Sequence, residues 1–280
     1  MVQTAHNRPL EARPSLELSG PVLNEALERI IAGCEQTVGV EAFVEALKLR
    51  AMIIHQVFDR AGPQGPDMAQ FAKITSLMPT VRRRVTAYLT DDNYPHLIGA
   101  CLELVNARHD PATVDQRLAD FCAQFPQDSK HRWVKDLAAE LLHAFNPERY
   151  PLMCRWVWDV RSNTGVIREI WHGDVDRVSI KVPDNYATFV MLREELSQFL
   201  ATNGVYRDTL QYVDLLCAQI YAEYISAQGG SYLRADFSSG EDATVHVRRL
   251  LGLDGVRTKG DFANPVSALI ELDPTSSDEA

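Results

Sequence analysis

The chain has 280 residues, of which 46% are hydrophobic and 24% charged, with a formal net charge of −10 and a pI near 5.3. That composition excludes wholesale disorder. The acidic balance argues against non-specific nucleic-acid binding, whose affinity comes from neutralising phosphates.

The five cysteines (Cys34, Cys101, Cys122, Cys154 and Cys217) are scattered, form no CxxC pair and lie mostly in apolar runs. Buried free thiols in a reducing compartment are therefore expected. The opening "MVQTAHNRPLEARPS" has neither a basic n-region nor an apolar h-region. No apolar run approaches the roughly 20 residues needed to span a bilayer. A soluble cytoplasmic protein is the expectation, with no membrane partner.

In chain order, residues 1–16 and 273–280 are polar and are expected to be disordered tails. The stretch 17–272 reads as one mostly helical domain. A helix starts at Ser19 or Gly20, with Pro21 in its first turn and Leu23, Ala26, Leu27, Ile30 and Ile31 as its stripe. Phe43, Leu47, Ile54 and Phe58 mark a second over 40–60, which "AGPQGPD" (61–67) breaks. Shorter helices follow at 67–77, 80–89, 94–107 and 112–124. Over 130–145, Val134, Leu137, Ala138, Leu141 and Phe145 form a stripe, with Asp128 or Ser129 as cap and Pro147 as stop.

The periodicity then changes. "YPLMCRWVWDVRSNTGVIREIWHG" (150–173) holds three of the four tryptophans. In "RWVWDV" and "VIREIW" the apolar residues alternate at period two, around the turn chemistry of "SNTG". A hairpin is predicted with loop 162–165, placing Asp159 opposite Arg168 and Trp156 opposite Trp171. One face would collect Trp156, Trp158, Val160, Ile167 and Trp171; the other would show Arg155, Asp159, Arg161 and Arg168. "RVSIKV" (177–182) would add a third strand. Helices resume at 185–202, 208–227 and 241–252. The fold class is therefore mainly α (α+β): a multi-helical domain with a small antiparallel β-meander (about 154–182) inserted between helical halves 19–145 and 185–252.

No signature fixes a reaction: G-x-S-x-G, P-loop, Rossmann and zinc-protease motifs are all missing. Two Glu-x-x-His spacings occur, Glu140–His143 and Glu169–His172. Paired motifs of this kind hold two metals in helical bundles, but the second falls on the predicted strand. "HGDVD" offers His172, Asp174 and Asp176 to a single divalent ion such as Fe, Mn or Zn, although Gly and Asp are also ordinary turn residues. The run Arg82–Arg84 and the glycines of "LLGLDGVRTKGD" (250–261) are the features that would suit nucleic acid. The glycine-rich stretch 229–242 carries Tyr232 and Arg234 and suits a binding loop.

A binding or regulatory protein without catalysis ranks first, meeting an acidic protein partner or anionic ligand through Arg155, Arg161, Arg168, Tyr232 and Arg234. The second reading is a metal-dependent enzyme using Glu140, His143 and His172 with Asp174. The third, nucleic-acid recognition, is disfavoured by charge. A homo-oligomer is compatible with any of them.

Overall fold

The computed structural model describes residues 16–35, 39–173, 179–227 and 243–254, and every regular element among them is helical. Of the expected N-terminal tail only Leu16 is described, and it is buried. The tail at 273–280 lies outside the described residues.

The helices begin and end where local chemistry says they should. α1 (Gly20–Glu35) carries Pro21 in its first turn. α2 (Val40–Ala61) stops at Gly62, whose φ of 65° few other residues adopt. α3 (Met68–Ser76) opens on a reciprocal capping box: Asp67 accepts from the Gln70 amide, and the Gln70 side chain accepts from the Asp67 amide. The expected helix at 80–89 is a series of turns ending in a 3₁₀ segment, Val85–Tyr88.

α4 (Tyr94–Asn106) and α5 (Val114–Ala123) follow. Asp128 then caps a 3₁₀ turn, accepting from the Lys130 and His131 amides, and that turn leads into α6 (Trp133–Phe145). α7 (Val166–Glu169) is a single turn. Asn185 caps α8 (Tyr186–Thr202) by accepting from the Thr188 amide at 3.0 Å. α9 (Thr209–Ala227) and α10 (Ala243–Leu250) complete the order.

Two helices organise the packing. α6 lies against α2, α4 and α5; α9 lies against α1, α2, α7, α8 and α10. α2 touches both. One hydrophobic core runs from Leu16 to Leu253, and its burial supplies the main favourable free energy of folding. From Trp133 to Ala144 only Lys135 of α6 escapes burial, so that helix is enclosed on all sides. Any charge on it must find a partner inside the protein.

The predicted β-meander is not found: no β-strand occurs among the described residues. The chain does reverse at the expected place, but a single bridge, Asp159 with Thr164, marks the reversal. Asp159 thus faces Thr164 and not Arg168, and Trp171 bridges to Leu18 and not to Trp156. Residues 154–158 form a turn, with the Val157 and Trp158 amides both donating to the Cys154 carbonyl. The arm after Gly165 is α7.

The reason lies in burial on two sides. Trp156, Val157 and Trp158 are 5%, 2% and 0% exposed, so consecutive side chains are all enclosed. A strand with one solvated face would have left Val157 outside. Of the expected third strand, residues 179–182 are described and irregular, while 177–178 lie outside the described residues.

Candidate functional site

Arg132, Asp136, Glu140 and His143 follow one another at helical spacing, so they share one face of α6 and of the turn before it. Each meets an oppositely charged side chain from elsewhere. Arg132 pairs with Asp159. Asp136 receives the Arg155 amide at 2.9 Å, its Nε at 3.1 Å and a terminal nitrogen at 2.7 Å. Glu140 accepts from Arg50 at 2.6 Å, while the Arg50 Nε donates to the Leu77 carbonyl at 2.9 Å. His143 places Nε2 3.0 Å from Asp214 Oδ2 and Nδ1 2.8 Å from the Tyr150 carbonyl.

The result is a row of four polar pairs running inward from the partly exposed Arg132, three between arginine and carboxylate and the fourth between His143 and Asp214, with α6 tied to α2, α9 and the 150–159 segment. Burial disfavours the charged form of Asp136 and raises its pKa, with the Arg155 guanidinium pulling the other way. For His143, burial works against the charged ring. Asp214, the Tyr150 carbonyl and Glu140 outweigh it, and the pKa is raised. Both ring nitrogens face acceptors, so the arrangement suits the doubly protonated imidazolium.

Cys154 lies close to Glu140 and Asp136. Burial first, and then those carboxylates, push its thiol well up, which makes it a poor nucleophile. Cys101 and Cys217 are likewise buried free thiols, and Cys122 is half-buried and free.

Two recesses flank the His143–Asp214 pair. One is walled by Phe189, Leu192, Val213 and Cys217; the other by Arg50, Glu140, Leu250 and Leu251. Each has a volume of about 20 Å³, room for about one water molecule and too little for a substrate.

The sequence-predicted residues fall in different places. Glu140 and His143 are both buried and both engaged by counter-charges. His172 is exposed, with its amide on the Glu17 carbonyl. Asp174, Asp176, Tyr232 and Arg234 lie outside the described residues. Among the described residues no three His, Cys, Asp or Glu side chains converge as a metal ion would require.

The three arginines do not share a strand face. Arg155 is turned inward onto Asp136, and Arg168 donates to Asn163 Oδ1 at 2.8 Å. Arg161 is exposed, its side chain unbonded among the described residues. Four residues of the ionic row were not singled out from the sequence: Arg50, Arg132, Asp136 and Asp214. For Arg50 and Asp214 the signal was a charge inside an apolar run, as in "ALKLRAMII" and "YVDLLCAQI".

Arg161 sits on a turn fixed from beneath. The Asp159 and Thr164 backbones bond each other at 3.0 and 3.3 Å, and Asp159 Oδ1 accepts the Arg161 amide at 3.1 Å. Asn163, at φ 53°, donates its amide to the Ile180 carbonyl at 2.8 Å. Gly165 comes so close to the crossing chain that a Cβ there would lie 2.7 Å from the Val157 oxygen. Above this base, Val160 and Arg161 face solvent. No helix of the described residues is long and apolar enough to cross a membrane. Comparison with protein families, with curated proteins and with solved structures finds no match to the chain.

Proposed function

We propose that this protein is a non-catalytic binding protein that engages an acidic surface of a protein partner through the 159–164 turn, with Arg161 as its principal contact. The observation that carries the reading is the contrast between the two kinds of charge in this region. Asp136, Glu140 and His143 are neutralised in pairs inside the core. Arg161 stands exposed and unbonded on a turn whose backbone is already fixed. Fixing a loop before binding removes part of the ordering cost of association. Arginine is among the residue types enriched at the energetic centres of protein interfaces.

Arg168 holds Asn163 and so supports the turn from below. Tyr232 and Arg234, which lie outside the described residues, extend the reading as further contacts. The test is capture from native lysate by wild type, Arg161→Glu and Arg161→Lys. Charge reversal is expected to remove an acidic protein from the captured set, and lysine to restore most of it. An unchanged captured set contradicts the proposal.

A further inference from the structure

The turn that carries Arg161 is fastened to a second segment of chain, and the fastening sets another unpaired cation beside it. Asn163 donates from Nδ2 to the Ile180 carbonyl at 2.8 Å, and its Oδ1 accepts from the Ile180 amide at 3.3 Å. Both polar backbone groups of Ile180 are thereby satisfied by one side chain. Ile180 is buried, whereas Lys181 after it is exposed. Like Arg161, Lys181 makes no hydrogen bond or ion pair among the described residues. Arg161 lies two residues before Asn163 and Lys181 one residue after Ile180, so the two cations flank a single fastening.

The surroundings add positive charge, on a chain whose net charge is −10. Arg168 donates to Asn163 Oδ1 at 2.8 Å, and Arg132 pairs with Asp159 while 32% of its side chain stays exposed. Asp159, the carboxylate nearest Arg161 along the chain, is 5% exposed and is occupied by Arg132 and by the Arg161 amide. On the outer side the Ser162 and Thr164 hydroxyls stand 2.7 Å apart. One donates to the other, which leaves one O–H proton to offer outward. The turn and Lys181 thus present donors of three kinds: a guanidinium fork, an ammonium and a hydroxyl. A carboxylate carries one charge and two oxygens; a phosphoryl group carries nearly two charges and three acceptor oxygens. We propose, resting on the reading that this turn binds an acidic partner, that the group it receives is a phosphorylated serine or threonine of that partner. Arg161 supplies the fork, Lys181 the second positive charge, and Ser162 or Thr164 the third donor.

The test is NMR titration of the full chain with a short glycine-flanked phosphoserine peptide, its unphosphorylated and glutamate counterparts, and inorganic phosphate. The amides of 160–164 and 180–182 are expected to shift with the phosphopeptide, which should bind at least about tenfold more tightly than the glutamate peptide or inorganic phosphate. Lys181→Ala should weaken the phosphopeptide about threefold, the scale of an exposed ion pair, and Arg161→Ala about tenfold. Both side chains are exposed, so Tm should stay at its wild-type value. Equal affinity for the glutamate peptide overturns the proposal, and so does an unchanged affinity in Lys181→Ala. Shifts confined to other parts of the chain overturn it too, as does equal affinity for inorganic phosphate, which would mark a free-anion site. Lysate capture separates this inference from the reading beneath it. Phosphatase treatment of the lysate is expected to remove the same partner that Arg161→Glu loses. Loss with Arg161→Glu but not with phosphatase overturns the phosphoryl inference alone; capture indifferent to Arg161→Glu overturns both.

Discussion

His143 Nε2 stands 3.0 Å from Asp214 Oδ2, joining α6 to α9 across 71 residues of chain, while the other ring nitrogen faces the Tyr150 carbonyl. The two main packing helices are thereby joined by an ion pair as well as through α2. The pair is part of a row, and its consequences for stability can be measured.

The pH dependence follows from the raised His143 pKa. Burial opposes the charged ring, but Asp214, the Tyr150 carbonyl and Glu140 together hold its proton more tightly than the unfolded chain does. The contribution is therefore full below the unfolded value of about 6.5. Above that the native state keeps a proton the unfolded chain has lost, so stability falls as pH rises, until the folded pKa is passed. Tm measured from pH 6 upward should decline, and His143→Gln should flatten the decline. An equal slope in the variant would exclude His143 as the source.

Breaking the Arg50–Glu140 pair should be costly on one side and mild on both. Glu140→Ala leaves a guanidinium that is 6% exposed without its counter-charge. A loss of about 3–5 kcal/mol in chemical denaturation is expected. Replacing both residues, as in Arg50→Met with Glu140→Leu, should recover much of that, since two matched apolar groups remove the stranded charge. A double variant as unstable as the single one would show that the pair itself stabilises the fold.

Gly165 should be intolerant of a side chain. Its φ is 121°, and a Cβ would meet the Val157 oxygen at 2.7 Å. Gly165→Ala is expected to cost about 2 kcal/mol or more, with a red shift in tryptophan emission as Trp156 and Trp158 loosen. Full wild-type stability would mean the backbone crossing yields more easily than its closeness suggests.

Trp158 is fully buried and donates from Nε1 to the Val182 carbonyl at 2.9 Å. Trp158→Phe removes that donor and leaves a small void. The expected loss is about 2–3 kcal/mol, from an unsatisfied carbonyl together with lost packing. Trp171, half-buried at the Leu18 bridge, should tolerate the same change with a smaller loss.

These residues also mark how far the sequence could be read. The stripe of Val134, Leu137, Leu141 and Phe145, the Asp128 cap and Pro147 located α6 to within a few residues, because caps and periodicity are local properties. α2, α8 and α9 were legible for the same reason. The 154–171 segment was not. Its alternation of Trp and Val resembles a strand, but the helices enclose it from both sides, and burial of Val157 between two tryptophans has no local signature.

The same limit applies to the site. Glu140 and His143 stood out by spacing, yet their partners Arg50 and Asp214 lie 90 and 71 residues away. Only the fold brings them together. Arg161 was read as one of three equivalent arginines; it differs because Arg155 has Asp136 and Arg168 has Asn163.

On this proposal the exposed turn performs recognition, while each interior charge serves to satisfy its buried partner and takes no part in binding. Measuring capture of the acidic partner and Tm together, for Arg161→Glu and for Glu140→Ala, tests it most directly. The account predicts a crossed result. Arg161→Glu should lose capture with a stability change within about 0.5 kcal/mol, while Glu140→Ala should lose Tm but, below its own transition, still bind. Capture that survives Arg161→Glu, or fails in folded Glu140→Ala, would contradict it.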